Sequence, residues 1–164
     1  IYYKLSYIMD VTDKFLKIPN NLNTMAKFIR QNINNTIKIH YGIINICDLE
    51  GTLLFDNHDL DTWQNVYLPN PVKMEIIGIK ENLSAPNIDY LHWVILLGED
   101  GKIYGYLSNK LYILANNKHE FVLDGIKTNV CFTYPEFKYN DLTDTSEENN
   151  SEAILTEFLD FLNK

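Results

Sequence analysis

The distribution of apolar and polar residues is most regular between His92 and Ile126. An apolar run from Trp93 to Leu97 is followed by Asp100-Gly101, a second run from Lys102 to Leu107, Ser108-Asn109, and a third run from Lys110 to Ala115. Asp-Gly between β-branched and aromatic runs predicts a hairpin with a type I′ turn, since both central residues of that turn need positive φ. The pattern therefore predicts a three-strand meander, followed by a short helix over 117–125 that ends at Gly125.

Upstream, residues 11–18 predict a short helix stopped by Pro19, because the residue before a proline is steered away from helical geometry. Asn20 and Asn21 can cap a second helix, in which Leu22, Met25, Ala26, Ile29 and Ile33 share one face over 22–33. Ile37 to Asp48 is rich in β-branched residues and predicts a strand with an interruption at Gly42. Leu49-Glu50-Gly51 then turns the chain, and Thr52 to Phe55 is expected to return as the other arm of a first hairpin. The polar stretch after Phe55 reads as a loop with a helical turn around a buried Trp63. Val72 to Lys80 alternates as a strand, and Glu81 to Tyr90, which contains Pro86, reads as an irregular connection. Val130 to Tyr134 predicts an edge strand closed by Pro135.

Residues 138–150 are polar and acidic, as a linker would be. Beyond them, 151–163 carry Ile154, Leu155, Phe158, Leu159, Phe161 and Leu162 at helical spacing, a wide apolar stripe that must be buried. Together these elements predict an α+β fold: a mostly antiparallel twisted sheet of about five to six strands with helices packed against it. A chain of 164 residues is expected to form a single domain. Residues 1–10 read as an upstream extension that lacks the small-residue cleavage site of a signal peptide.

Charge sharpens this picture. Lys and Arg balance Asp and Glu at 8 against 8 over residues 1–80, whereas residues 81–164 hold 6 against 14, so the second half carries the entire net charge of −8. An acidic surface repels phosphate backbones and steers basic partners, so a protein partner is expected rather than direct nucleic-acid binding. No apolar run reaches the roughly 18 residues needed to cross a bilayer, so no membrane association is expected. Cys47 and Cys131 lie in apolar runs, read as buried free thiols, and suggest a reducing, cytoplasmic compartment.

Candidate chemistry is sparse. Asp56, His58, Asp59 and Asp61 could offer ligands to a divalent cation, but the glycine of a calcium loop is missing, and a helix cap in a solvated loop accounts for them. His119-Glu120 begins a zinc-protease pattern, yet Leu123 stands where the second histidine belongs. His40 and Cys47 are seven apart on a single expected strand and so face opposite sides. Cys131 with His119 is the remaining nucleophile-and-base pairing, and a structural thiol is the commoner use. Tyr104, Tyr106 and Tyr112 could stack bases, but this half of the chain lacks the basic residues such sites need. No catalytic set, metal site or cofactor site is expected.

The segment GEDGKIYGYLSNKLYILANNKHEFVLDGI resembles the conserved segment of the SUKH superfamily, with matching positions at Asp100, Gly101, Tyr104, Leu114, Ala115, Glu120, Phe121, Gly125 and Ile126. Ile18-Pro19 and the YGIINI run fit the superfamily's opening more loosely, so the resemblance covers residues 18–126. It implies a non-enzymatic binding protein. Bacterial members neutralise toxins, many of them nucleases, as immunity proteins. The herpesvirus and poxvirus branch shares the wording closely, and its members resemble antagonists of host defence or cell death, which would act in the host cytoplasm. The first reading is an immunity protein for a basic toxin, and the alternative is a viral antagonist of a host factor. Trp63, Glu99, Asp100, Tyr104 and Tyr106 are the expected partner contacts, the aromatics as anchors and the acids as steering charges. The competing reading places Trp63 and Tyr104 in the core.

Overall fold

The structure is a computed structural model, and it describes residues 9–52, 55–81 and 92–135. Four helices and seven strands follow in the order α1 (Val11–Lys17), α2 (Leu22–Gln31), β1 (Thr36–Ile39), β2 (Gly42–Ile46), α3 (Asn57–Asn65), β3 (Met74–Glu81), β4 (His92–Gly98), β5 (Ile103–Leu107), β6 (Lys110–Ala115), α4 (Lys118–Asp124) and β7 (Val130–Thr133). The strands lie in chain order in one open sheet, each antiparallel to the next. The α+β class and antiparallel sheet are as expected, with one strand more than the upper figure of six. Residues 1–8 of the expected extension over 1–10, residues 82–90 of the expected irregular connection over 81–90, the expected acidic linker and the expected helix over 151–163 lie outside the described residues.

The first hairpin is not where the sequence suggested. Ile37 to Asp48 is two strands, folded on His40-Tyr41, with Ile39 opposite Gly42. β2 pairs with β1 on one side and, on the other, with β3 through Asn45↔Ile79 and Ile46↔Gly78. Glu50 to Thr52 form a 3-10 turn, and Phe55 belongs to no strand. The physical reason is that neither His40 nor Tyr41 is a usual turn residue, yet Tyr41 adopts φ 61°. Contacts of His40 with Val122 and Gly125 at the end of α4 hold the turn in place of local preference.

The type I′ geometry expected at Asp100-Gly101 is found at Ser108-Asn109 instead. Ser108 and Asn109 both have positive φ, at 50° and 60°, and close a two-residue type I′ hairpin between Leu107 and Lys110. In the Asp100-Gly101 turn only Gly101 has positive φ, and Gly101 N–H donates to the Gly98 carbonyl. That is a three-residue loop, a tight turn followed by a left-handed glycine. Cys131 also departs from expectation: Cys47 is buried, but Cys131 is exposed because β7 is an edge.

Both faces of the central strands are buried, which explains why β4 reads as a continuous apolar run rather than an alternating one. Trp93, Ile95 and Leu97 join Phe15, Met25, Ile29 and Phe121 under α1, α2 and α4. Val94 and Leu96 face the other way, into a layer with Trp63, Tyr67, Tyr104, Tyr106 and Leu111 under α3. β3 likewise serves both layers by alternation, with Ile76 in one and Ile77 in the other, and carries a bulge between Ile76 and Gly78. Gly78 must be glycine there, because a Cβ would sit 2.2 Å from the Asn45 carbonyl oxygen.

Candidate protein-contact surface

Each residue that carries the superfamily resemblance has a structural task. The Asp100 carboxylate accepts from Lys102 N–H at 3.1 Å, Lys102 Nζ at 2.8 Å and the Tyr104 hydroxyl at 2.8 Å, which fixes the β4–β5 loop. Burial alone would raise the Asp100 carboxyl, but these donors outweigh it and hold it below the usual carboxylate range. Burial, and then the bond to Asp100, pushes the Tyr104 hydroxyl up. Asn117 caps α4 by accepting from Glu120 N–H at 2.8 Å, and Glu120 accepts in return from the Asn116 side chain and backbone. Leu114, Ala115 and Phe121 are core. Gly125 ends α4 at φ 75°, and a Cβ there would meet the His40 carbonyl oxygen at 2.5 Å.

The expected contact residues separate. Trp63, Tyr104 and Tyr106 are buried in the layer under α3, where the Trp63 and Tyr106 rings lie 4.5 Å apart, so these three aromatics are core packing and not surface anchors. Trp63 sits on α3 itself and the β5 positions of Tyr104 and Tyr106 face it, and the polar sequence around Trp63 does not reveal that helix of nine residues. Glu99 and Asp100 are at the surface. Glu99 accepts from Lys73 N–H at 3.2 Å, beside a shallow polar cleft formed with Asn20, Asn21 and Asn23.

The acidic cluster at the start of α3 works as a cap. Asp56 accepts from His58 and Asp59 N–H groups, Asp59 accepts from Asp56 N–H, and Asp61 accepts from the Asn65 side chain. Among the described residues, no three His, Cys, Asp or Glu side chains are arranged to hold a metal. Burial, with Asp48 adding to it, pushes the Cys47 thiol up to about 11, far from a reactive thiolate. No hydrogen bond joins Cys131 to His119 among the described residues.

Two features went unseen in the sequence. Lys118, on the first turn of α4, is buried and donates to the Phe15 and Ile18 carbonyls across about 100 positions of chain, tying α4 to the end of α1. The other is the tip of the β1–β2 hairpin. Tyr41 is 88% exposed and its ring packs at 3.7 Å from that of His40. Ile43 on β2 is 50% exposed and Leu123 on α4 is 70% exposed. His40 N–H donates to the Val122 carbonyl at 2.9 Å, and Gly125 packs under His40, so the hairpin is pinned to α4 from two sides. A non-glycine residue in left-handed geometry costs roughly 1–2 kcal/mol. The strain falls on the most exposed large apolar side chain among the described residues. The sequence hint is the His-Tyr-Gly break in an apolar run that otherwise predicts one strand interrupted at Gly42.

A family model described as US22 like matches residues 18–133. The chain belongs to the US22-like family. Its relatives are viral, consistent with the viral branch of the SUKH superfamily. Uncharacterized protein 005R of Frog virus 3 is 29% identical over 137 residues, covering 80% of this chain and 65% of that protein. Uncharacterized gene 87 protein of Gallid herpesvirus 2 is 36% identical over 69 residues, covering 42% of this chain and 38% of the relative. Uncharacterized protein FPV250 of fowlpox virus is 41% identical over 56 residues, covering 34% and 39%. The US22-like chain therefore spans less than two thirds of the length of each of these relatives. No solved structure matches it.

Proposed function

We propose that this US22-like chain is a non-enzymatic protein-binding domain that antagonises a host defence or cell-death factor by direct contact, in the host cytoplasm. The observation that carries the reading is Tyr41, a strained and exposed aromatic on a hairpin held rigid by α4. Anchor residues at interfaces are typically aromatic, and a site held in its bound shape before encounter loses less entropy on binding. Tyr41, Ile43 and Leu123 supply apolar contact area, and the acidic second half of the chain favours a partner with a basic surface. The same charge would suit a basic toxin and thus an immunity protein, but the viral relatives favour the host-directed reading.

The test is to express the full chain in vertebrate host cells, cross-link, and map the contact sites by mass spectrometry. The partner is then purified and titrated directly at about 50 and 200 mM salt, where screening separates steering from contact. Cross-links centred on residues 40–43 and 123, with binding weakened by salt, support the reading. An intrinsic turnover abolished by His58→Ala, His119→Ala or Cys131→Ala would overturn it.

A further inference from the structure

We propose that the outward face of α1 and α2 is a second docking surface, which takes a short acidic segment of a protein partner. The proposal rests on the reading of the chain as a protein-binding domain and adds a contact that does not use the Tyr41 hairpin. The net charge of −8 conceals a segregation along the chain. From Lys14 to Cys47 there are five Lys and Arg residues and no Asp or Glu, whereas residues 39–72 hold five Asp and Glu residues and no Lys or Arg. The sheet keeps the two groups apart. α1 and α2 cover one side, and α3, with Asp56, Asp59 and Asp61 around its first turn, covers the other.

Phe15 of α1 and Phe28 of α2 meet in the core with their rings 6.3 Å apart, which sets the two helices side by side. On α2, Met25, Phe28 and Ile29 are buried, and Asn23, Lys27 and Arg30 follow one another at helical spacing on the opposite, exposed side. Lys14 and Lys17 are likewise exposed on α1. Among the described residues none of these four cations is in an ion pair, although Arg30 acts on half-buried Glu75 of β3, opposing the burial that pushes its carboxyl up. The dipoles at the C-terminal ends of α1 and α2 favour cations there, which accounts for their position but not for the missing acids. None of the exposed large apolar side chains among the described residues lies on α1 or α2, so the face suits a hydrophilic anion. The ten residues of α2 measure about 15 Å at 1.5 Å per residue, the reach of an extended peptide of about five residues. A segment of that length rich in Asp and Glu meets the cations alone. A nucleic-acid duplex or an anionic bilayer extends much further and lies against a molecule of net charge −8, which repels it.

The test titrates the isotope-labelled full chain with a blocked peptide of about eight residues alternating Glu and Ser, and follows backbone amide shifts by NMR at about 50 and 200 mM salt. The expected result is saturable shifts centred on residues 14–17 and 23–30, with weaker binding at the higher salt. Lys27→Gln/Arg30→Gln should raise the Kd roughly five- to tenfold with the Tm little changed, and Lys14→Gln/Lys17→Gln should act in the same direction. Tyr41→Asn should bind the peptide as the parent does, so failure of the hairpin contact and failure of this one are read separately. No shifts at the lower salt, shifts centred elsewhere, or a Kd unmoved in both glutamine variants would overturn the proposal. Tighter binding of a short RNA or DNA duplex, or of phosphatidylserine vesicles, than of the peptide would also overturn it, assigning the face to a phosphate polyanion.

Discussion

Lys118 allows the packing argument to be tested quantitatively. Its ammonium donates to the Phe15 carbonyl at 3.0 Å and to the Ile18 carbonyl, and it stands 5.4 Å from the centre of the Phe15 ring. These acceptors lie at the end of α1, just before Pro19, where helical carbonyls have no partner within the helix. Burial depresses the lysine below its ordinary value, a cost that the two bonds and the ring offset. In Lys118→Met the stem volume stays and the donors go. Each buried carbonyl left without a partner costs about 1–3 kcal/mol, less the relief of no longer burying a charge, so the net loss is about 2–4 kcal/mol. At roughly 2–4 °C per kcal/mol for a chain of this size, Tm should fall by about 4–16 °C. Urea unfolding followed by Trp fluorescence reads this directly, because Trp63 and Trp93 are both buried. Replacing a buried ion with an apolar group can also stabilise a protein. A methionine variant as stable as the parent would therefore refute the role of Lys118 as the tie between α4 and α1.

Three further outcomes are expected. Gly125→Ala should destabilise by about 2–3 kcal/mol in urea unfolding, since a Cβ there combines unfavourable φ with a 2.5 Å approach to the His40 carbonyl oxygen. Asp100 holds its charge to lower pH when folded than when unfolded, so below about pH 4 the unfolded chain binds more protons and stability falls as pH falls. The stability difference between the parent and Asp100→Asn should accordingly be full above about pH 5 and shrink in acid, as read by thermal melts across that range. Tyr41→Asn should raise stability by about 0.5–1 kcal/mol, because asparagine tolerates the left-handed region and the exposed tyrosine ring contributes little burial.

What the sequence could show depended on how local the cause was. The β4–β5–β6 meander, α4 with its terminal Gly125, and the α2 cap at Asn21 were readable because turn and cap preferences act within a few residues. The helix α3 was obscured by its polar surface, although Asp56 and Asp59 form a complete capping box. The β1–β2 turn was not readable, since its geometry at Tyr41 is imposed by α4, some 80 positions away. Lys118 was missed for the same reason: lysine is normally exposed, and its acceptors are on α1. Tyr104 and Tyr106 look like a free aromatic row in the sequence because the residues that cover them, Trp63 on α3 with Phe55 and Tyr67 beside it, lie some 40 positions earlier in the chain. The motif that signals the family is thus made of turn, cap and core residues. The candidate contact surface lies at positions that carry no motif.

That division is the central claim, and the affinity of the purified host partner for Tyr41→Asn, measured beside the variant's melting temperature, tests it most directly. At least a tenfold weaker Kd with an equal or higher Tm is the expected result. An unchanged Kd in a folded Tyr41→Asn variant would contradict the claim and move the function away from the hairpin.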